Sequence, residues 1–236
     1  MNRSIASDIQ KRVIINTETL DWDPTITQKT LETNNNDGYE QITSLVRYSA
    51  GAIYLPHCHP NGEEIFVLEG TLYDERGDFP SGSYIRNPPG SYHQPYSKHG
   101  CLIFIKVEQM TLNETKHLHV KTYSEDWKTD ILSNTDLINL YTNHDEKVDL
   151  VRYLPSESPN KISSQDDVCV ELFVLYGVLN HQDKFYPKNT WIKENGDSFQ
   201  GLFSRSGCTI YRKTGHHNLL EPYSSSLTKE GINYEY

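Results

Sequence analysis

Short apolar runs alternate with polar turn clusters along the chain, and this pattern predicts strands rather than helices. Runs such as SLVRYSAGAIYL (44–55) and CLIFIKVE (101–108) are bounded by clusters of Gly, Pro, Asn and Asp. Short strands at such close spacing are typical of a sandwich, a barrel or a jelly roll. The sequence therefore predicts an all-β fold. Segments 23–37 and 128–142 are predicted as irregular chain or edge strand, although 128–142 has some helical character.

The strand pattern occurs twice in the chain. EIFVLEG (64–70) aligns with ELFVLYG (171–177), an offset of 107 residues that continues without a gap. From 63–106 against 170–213, 14 of 44 aligned positions are identical. Because chance does not produce such a match, the chain is predicted to contain two copies of one domain. We place these domains at residues 1–112 and 113–236.

Several polar or small residues recur in both copies, and recurrence favours a structural role for them. Glu64 returns as Glu171, which predicts a structural hydrogen bond rather than metal ligation. Arg86 recurs as Lys193 and Lys106 recurs as Lys213, and each of these basic residues is predicted to be a structural salt partner of an acidic side chain. Cys101 recurs as Cys208, and both are predicted to be small buried residues.

Three histidines and one glutamate are the candidate metal-binding residues. His57 and His59 lie one residue apart, so on a strand both point to the same side. Glu63 follows a Pro-Asn-Gly turn, and His93 comes after a Pro-Pro-Gly turn. Imidazole nitrogens with one carboxylate suit a divalent transition metal such as zinc, iron, manganese, nickel or cobalt. Such a donor set leaves one or two coordination positions for water or a substrate.

Two nearby features are predicted to lie outside this site. Cys58 stands between the two histidines, and strand alternation directs its side chain away from them. A second pair, His117 and His119, has no glutamate four residues later and falls between the two copies. We expect an exposed strand or linker there. His216 and His217 have no partners in the sequence pattern and are expected to be exposed.

The second copy lacks the candidate ligands. At the repeat offset, the four positions hold a serine, an aspartate, a valine and a glutamine, namely Ser164, Asp166, Val170 and Gln200. One weak oxygen ligand cannot hold a transition metal. The apolar framework is retained, so the second barrel is expected to cover and stabilise the first.

The spacing of these residues resembles the two motifs of the cupin superfamily. The first motif matches at Gly51, His57, His59, Glu63 and Gly70, and the second at Gly82, Pro88, Gly90 and His93. Only the final Asn of the second motif differs, because this chain has Ser97 there. The resemblance implies two tandem double-stranded β-helix barrels.

Residues 40–107 resemble more closely the cupin domain of ChrR-type anti-sigma factors. The resemblance implies that His57, His59, Glu63 and His93 hold one zinc ion. ChrR also has a helical zinc-binding domain that holds the sigma factor. No segment of this sequence resembles that domain, so sigma-factor binding is not expected.

Charge and cysteine usage restrict the remaining possibilities. The formal net charge is −10, with 22 Lys+Arg against 32 Asp+Glu, so the chain repels nucleic-acid phosphates. No stretch approaches the roughly 20 apolar residues of a membrane span, and no apolar leader is predicted. The four cysteines are widely spaced, which favours a reduced, cytoplasmic protein. Exposed sheet edges can pair, so a homodimer is one expected arrangement.

Three classes of function remain open from the sequence. The first is a metal-binding, small-molecule or redox-responsive regulatory protein without turnover. The second is a metal-dependent enzyme, most simply a dioxygenase but also an isomerase or lyase, acting on a small oxygen-chelating substrate. The third is a structural metal, which ranks last because a chain of this length can bury a core without one. The fold does not choose among them.

Overall fold

The chain forms strands connected by short turns. The computed structural model describes residues 12–23, 27–36, 38–131, 133–159, 169–195 and 199–215. These residues contain strands and short 3-10 turns, and no α-helix occurs among them. The all-β prediction is therefore confirmed.

The strands of the first part of the chain are β1 Val13–Asn16, β2 Gln28–Asn36, β3 Tyr39–Tyr48, β4 Ala52–Ile53, β5 His57–His59, β6 Glu63–Asp74, β7 Gly77–Pro80, β8 Ser83–Asn87, β9 Ser91–His93, β10 Tyr96–Ser97 and β11 Cys101–Val107. Those of the second part are β12 Leu118–Lys121, β13 Lys128–Asp130, β14 Thr135–Thr142, β15 Lys147–Tyr153, β16 Cys169–His181, β17 Lys184–Pro187, β18 Thr190–Asn195, β19 Leu202–Phe203 and β20 Cys208–Thr214.

Two large antiparallel sheets organise these strands into two barrels. The first sheet has the order β12-β8-β6-β11-β3-β2, with β7, β10 and β4 attached beyond the middle of β6. The second has the order β1-β18-β16-β20-β15-β14-β13, with β17 and β19 attached to β16. β5 and β9 form a small separate sheet. β2 and β13 are edge strands, as predicted for segments 23–37 and 128–142. β14, which also belongs to the second of these segments, lies between β13 and β15 and is not an edge strand.

Each large sheet includes one strand from the other half of the chain. β1 pairs with β18 in the second sheet, and β12 pairs with β8 in the first. β1 and β12 occupy equivalent positions in the repeat, so the exchange is reciprocal. The domain boundary at residues 112/113 stays a prediction, and the sheets themselves are completed by strands from both sides of it.

Strand alternation separates a barrel interior from a surface between the copies. Ile65 and Val67 of β6 face the interior of the first barrel. Phe66 lies on the opposite face with Phe104, and both pack into a core shared with Phe173 of the second copy. The rings of Phe104 and Phe173 stack with centroids 5.0 Å apart. The two large sheets therefore pack face to face.

Reciprocal ion pairs cross this shared core. Lys106 donates to Glu171 over 2.7 Å, and its counterpart Lys213 donates to Glu64. Burial alone would raise the pKa of Glu64, but Lys213 and the nearby Arg86 outweigh it and lower that pKa to about 2. The structural roles predicted for Glu64 and the two lysines are confirmed.

Arg86 and Lys193 each form a salt bridge with a carboxylate of the other copy, as their recurrence predicts. Arg86 is buried and lies 2.6 Å from a carboxylate oxygen of Glu146, which belongs to the second copy. Lys193 lies 2.6 Å from Glu32 of the first copy. Each contact joins one copy to the other, so charge as well as apolar surface holds the copies together.

A glycine and a β-bulge bend the central strand of each barrel. The register of β6 against β11 shifts beside Leu68, and that of β16 against β20 shifts beside Leu175. Gly70 follows with φ +70°, where an added Cβ would lie 2.1 Å from the carbonyl oxygen of Gly100. Because β6 bends, Glu63 at its start and Asp74 at its end both lie beside His93 of β9.

Candidate metal centre

The small sheet of β5 and β9 carries the three candidate histidines. His57 lies directly opposite His93 in the antiparallel register, and His59 lies opposite Ser91. His59 and His93 are buried, whereas His57 is half-buried. Cys58 is exposed, as strand alternation predicts.

The donor atoms of the three histidines lie close together, and Glu63 lies beside two of them. One nitrogen from each histidine falls within 4.8 Å of the others, and His59 Nε2 lies 3.0 Å from His93 Nε2. The carboxylate of Glu63, at the start of β6, lies 3.5 Å from each of these two nitrogens. Metal–ligand bonds of about 2.1 Å at 90–110° place donor atoms roughly 3.0–3.4 Å apart. The separation of His59 and His93 falls in this range, the contacts of Glu63 lie close to it, and the group within 4.8 Å consists of the three histidines.

Hydrogen-bond acceptors behind two rings define which nitrogen faces the cluster. His57 Nδ1 lies 2.8 Å from the carbonyl oxygen of Leu55. His93 Nδ1 lies 3.5 Å from Oδ2 of Asp74. Both contacts favour a proton on Nδ1, which leaves Nε2 unprotonated and able to bind a metal.

The surroundings shift the pKa values of the two buried histidines in opposite directions. Burial lowers the pKa of His59, which keeps that ring neutral. Burial also acts to lower the pKa of His93, but the contact with Asp74 and the charge of Glu63 outweigh it and raise that pKa. The contact with Asp74 therefore favours the charged form of His93, whereas burial favours the neutral form of His59.

Three polar residues that the sequence did not indicate surround the cluster. Asp74, at the end of β6, contacts His93, and Asn87, at the end of β8, donates to Glu63 over 2.9 Å. Arg76 contacts both of them. The repeat held a signal for this set, because all three positions change in the second copy, to His181, Asp183 and Glu194.

A cavity of about 240 Å³ opens beside the candidate ligands. His57, His59 and Glu63 line one part of it, and β2, β3, β11 and Tyr54 after β4 supply the rest. Its remaining walls combine aliphatic side chains with hydroxyl and amide groups, from Ile42, Val46, Ile105, Val107, Gln28, Ser44, Tyr48 and Tyr54. A molecule in this cavity would touch both an apolar wall and the ligand cluster.

The equivalent region of the second copy holds a different set of side chains. Ser164 and Asp166 lie outside the described residues. Val170 is buried in the apolar core, and Gln200 is exposed. Arg12 of the exchanged segment forms an ion pair of 2.8 Å with Glu194, at the position of Asn87.

The remaining predicted features are found as follows. His117 and His119 are exposed and lie on or beside edge strand β12, as predicted. His117 also lies 3.2 Å from Asn87. Cys101 and Cys208 are buried, as predicted, and burial raises the pKa of Cys101 to about 11. His216–His217 lie outside the described residues.

Residues 10–111 match the family model described as the ChrR cupin-like domain, which covers the first copy. This match and the cupin-fold neighbours support a cupin-superfamily protein that resembles the ChrR cupin domain. The resemblance and the two tandem barrels predicted from the sequence are confirmed.

Solved structures show the same fold at low sequence identity. A candidate dioxygenase from Nostoc punctiforme is 12% identical, with 96% of this chain and 88% of that chain covered at a TM-score of 0.67. The bacterial pirin YhhW from Escherichia coli, in complex with nickel(II), is 12% identical, with 86% and 98% covered at 0.61.

A third neighbour is a variant of salicylate 1,2-dioxygenase from Pseudoaminobacter salicylatoxidans. It is 10% identical, with 89% of this chain and 85% of that chain covered at a TM-score of 0.62. At these identities the likeness concerns the fold alone. No curated protein matches the chain in sequence. In the described residues, no helix is long and apolar enough to cross a membrane.

Proposed function

We propose that the first barrel binds one divalent transition-metal ion through His57, His59, Glu63 and His93, and that the ion holds a small oxygen-donor molecule. The observation that carries this proposal is the cavity beside the donor cluster. A structural metal site is closed by protein ligands, whereas a site that binds substrates keeps a position open. A cavity at the ligands supports the second type.

Charge limits the kind of molecule that the cavity accepts. Three neutral histidines, one carboxylate and a divalent ion have a net charge of +1. None of the described residues that line the cavity is a lysine or an arginine. A monoanionic chelating group would neutralise the site, whereas a dianion would leave an unpaired negative charge beside an apolar wall. The preferred ligand is therefore a small monoanion with two neighbouring oxygen atoms.

Tyr48 supplies a further constraint on the bound molecule. Burial, followed by the charge of Glu63, raises the pKa of Tyr48 well above its usual value. Its hydroxyl group therefore stays protonated and can donate a hydrogen bond to an oxygen atom in the cavity. Aliphatic side chains such as Ile42 and Ile105 also line the cavity. The chain thus offers both polar and apolar groups to a ligand.

The first form of this function is binding without turnover, as in a small-molecule or redox-responsive regulatory protein. Zinc is the ion that the ChrR resemblance implies, and iron, manganese and nickel suit the same donors. Sigma-factor binding is not part of the proposal. Association into a homodimer stays a prediction.

A dioxygenase is the second candidate, and the open cavity favours it over a structural metal. When bound, a redox-active ion such as iron supplies the electron transfer that activates dioxygen. The chain's own contribution would be to orient the substrate in the cavity and to accept a proton at Glu63. The dioxygenase fold neighbours, including a gentisate complex of the salicylate enzyme, support this candidate at the level of fold.

Metal analysis of the purified protein tests the site first. We expect about one ion per chain, removed by a chelator. Replacing a ligand, as in His57→Ala or His93→Ala, should weaken metal binding by more than the 10–100-fold typical of outer partners. His99→Ala, at an exposed histidine, is the matched control and should keep the ion. Unchanged metal content in both ligand variants would overturn the assignment.

Oxygen consumption then separates the two forms of the function. The iron-loaded protein is mixed with pentane-2,4-dione, salicylate or gentisate, and dioxygen uptake is followed with an electrode. Uptake that depends on one of these probes and disappears in His93→Ala would establish the dioxygenase. Saturable probe binding to the zinc-loaded protein, without uptake by the iron-loaded protein, would establish binding without turnover. Failure to bind any probe would contradict both forms.

A further inference from the structure

We propose that Asp74, Arg76 and Asn87 are positioning residues that hold His93 and Glu63 ready for the metal ion. The inference rests on the proposed metal site. The three side chains form a continuous chain of contacts from the imidazole of His93 to the carboxylate of Glu63. None of them belongs to the candidate ligands.

One arm of this chain fixes the ring of His93. Asp74 Oδ2 lies 3.5 Å from His93 Nδ1 and 3.0 Å from Arg76 Nη2. The other oxygen, Oδ1, accepts the backbone N–H of Arg76 over 2.7 Å. Because both oxygens are engaged, the carboxylate cannot rotate freely. It therefore keeps an acceptor in front of Nδ1 and directs Nε2 of His93 to the donor cluster.

The other arm fixes the carboxylate of Glu63. Asn87 Nδ2 donates to Glu63 Oε2 over 2.9 Å, and Asn87 Oδ1 accepts from Arg76 Nη2 over 3.2 Å. His117 Nδ1 lies 3.2 Å from the same amide oxygen. A cation on the oxygen side and a carboxylate on the nitrogen side permit one orientation of the amide. Asn87 therefore transmits the position of Arg76 to Glu63.

Arg76 joins the two arms from the turn after β6. Besides Asp74 and Asn87, its guanidinium group contacts the carbonyl oxygen of Tyr92, the residue before His93, at 3.4 Å. Its single positive charge also offsets part of the negative charge of Asp74 and Glu63. The turn between β6 and β7 is thereby tied to β9, which carries His93, and to Asn87 of β8, which contacts Glu63.

The second copy indicates that the fold does not need these residues. The β6–β7 hairpin pairs Asp74 with Gly77, and the β16–β17 hairpin pairs His181 with Lys184 in the same way. The hairpin thus forms without a carboxylate at this position. Residues that serve the interface, such as Glu64, recur in both copies, whereas the positioning residues change together with the ligands.

Metal affinity tests the inference, measured by competition with a chromophoric chelator and by the absorption spectrum of the cobalt(II) form. Asp74→Ala should weaken zinc binding by about 10–100-fold, the range for outer partners of metal-bound histidines. It should also change the cobalt spectrum. Asp74→Asn keeps an acceptor oxygen and should restore part of the affinity. Asp78→Asn, at an exposed carboxylate in the same hairpin, is the control.

The outcomes distinguish this inference from the proposed function. If His93→Ala loses the metal while Asp74→Ala keeps wild-type affinity and spectrum, the inference is wrong and the metal site stands. If His93→Ala also retains the metal, the proposed function fails. Should Asp74→Ala not fold, Arg76→Ala decides, because wild-type metal affinity and cobalt spectrum in that variant would equally overturn the positioning role.

Discussion

The two copies of the barrel share their packing but differ at the site. Phe66 and Phe173 occupy equivalent places in the common core, and Glu64 and Glu171 accept hydrogen bonds from lysines of the opposite copy. The candidate ligands, in contrast, are not kept in the second copy, where Gln200 stands at the position of His93. Comparing the two copies within the chain therefore separates residues that serve the fold from residues that serve the candidate site.

The comparison also shows how strand alternation divides these roles. Glu63 and Glu64 are adjacent, both are buried, and they point to opposite faces of β6. Glu63 reaches the histidines inside the first barrel, whereas Glu64 reaches Lys213 across the interface. A difference of one residue in the sequence therefore separates a candidate ligand from a structural ion pair.

The largest expected effect comes from breaking the charge pairs that the copies share. Glu64→Gln leaves Lys213 and Arg86 without one carboxylate partner, and Glu171→Gln does the same to Lys106. Removing one partner of a buried pair costs about 3–5 kcal/mol. We expect a loss of this size in the free energy of unfolding by urea for each variant. A loss below 1 kcal/mol in either would contradict the shared structural role.

A smaller effect is expected from acid, and it should differ between wild type and Glu64→Gln. The folded-state pKa of Glu64 is about 2, below the ordinary value of 4.5. Its contribution to stability is therefore complete above pH 4.5 and is lost as the pH falls towards 2. By this linkage wild type should lose about 3 kcal/mol more than Glu64→Gln across that window. Parallel pH profiles of the two proteins in urea titrations would contradict it.

The smallest effect is expected at the exposed rim between the copies. Glu69 and Lys188 approach to 3.9 Å, and both side chains are more than half exposed. Exposed ion pairs contribute about 0–1 kcal/mol because water and salt screen them. Glu69→Gln should therefore leave the urea midpoint almost unchanged. It also serves as the isosteric control for Glu64→Gln. A loss of stability to urea comparable to that of Glu64→Gln would contradict the expected difference between the buried core and the exposed rim.

Local pattern and internal repetition predicted much of the fold and of the donor cluster. The all-β class follows from short apolar runs between turn clusters, and the duplication follows from the repeated sequence. The opposite directions of Glu63 and Glu64 follow from side-chain alternation, which is a local property of strands. The structural roles of Arg86 and Lys106 follow from their recurrence. These predictions needed no knowledge of which strands meet in space.

The positioning residues and the strand exchange depend on long-range geometry and were therefore missed. Asp74 and Arg76 read as ordinary residues of a tight turn, and their place beside His93 results from the bend of β6 at Gly70. The exchange of β1 and β12 could not be predicted from the strand pattern. An edge strand offers the same unpaired backbone groups to a strand from either copy.

The exchange of β1 and β12 makes the duplication non-modular. A fragment that ended after β11 would leave one edge of β8 without its partner, and a fragment that began at β12 would leave one edge of β18 without its partner. Neither half of the chain contains all the strands of its own sheet. The repeated sequence unit and the structural unit therefore have different boundaries, because each large sheet includes one strand from the other copy.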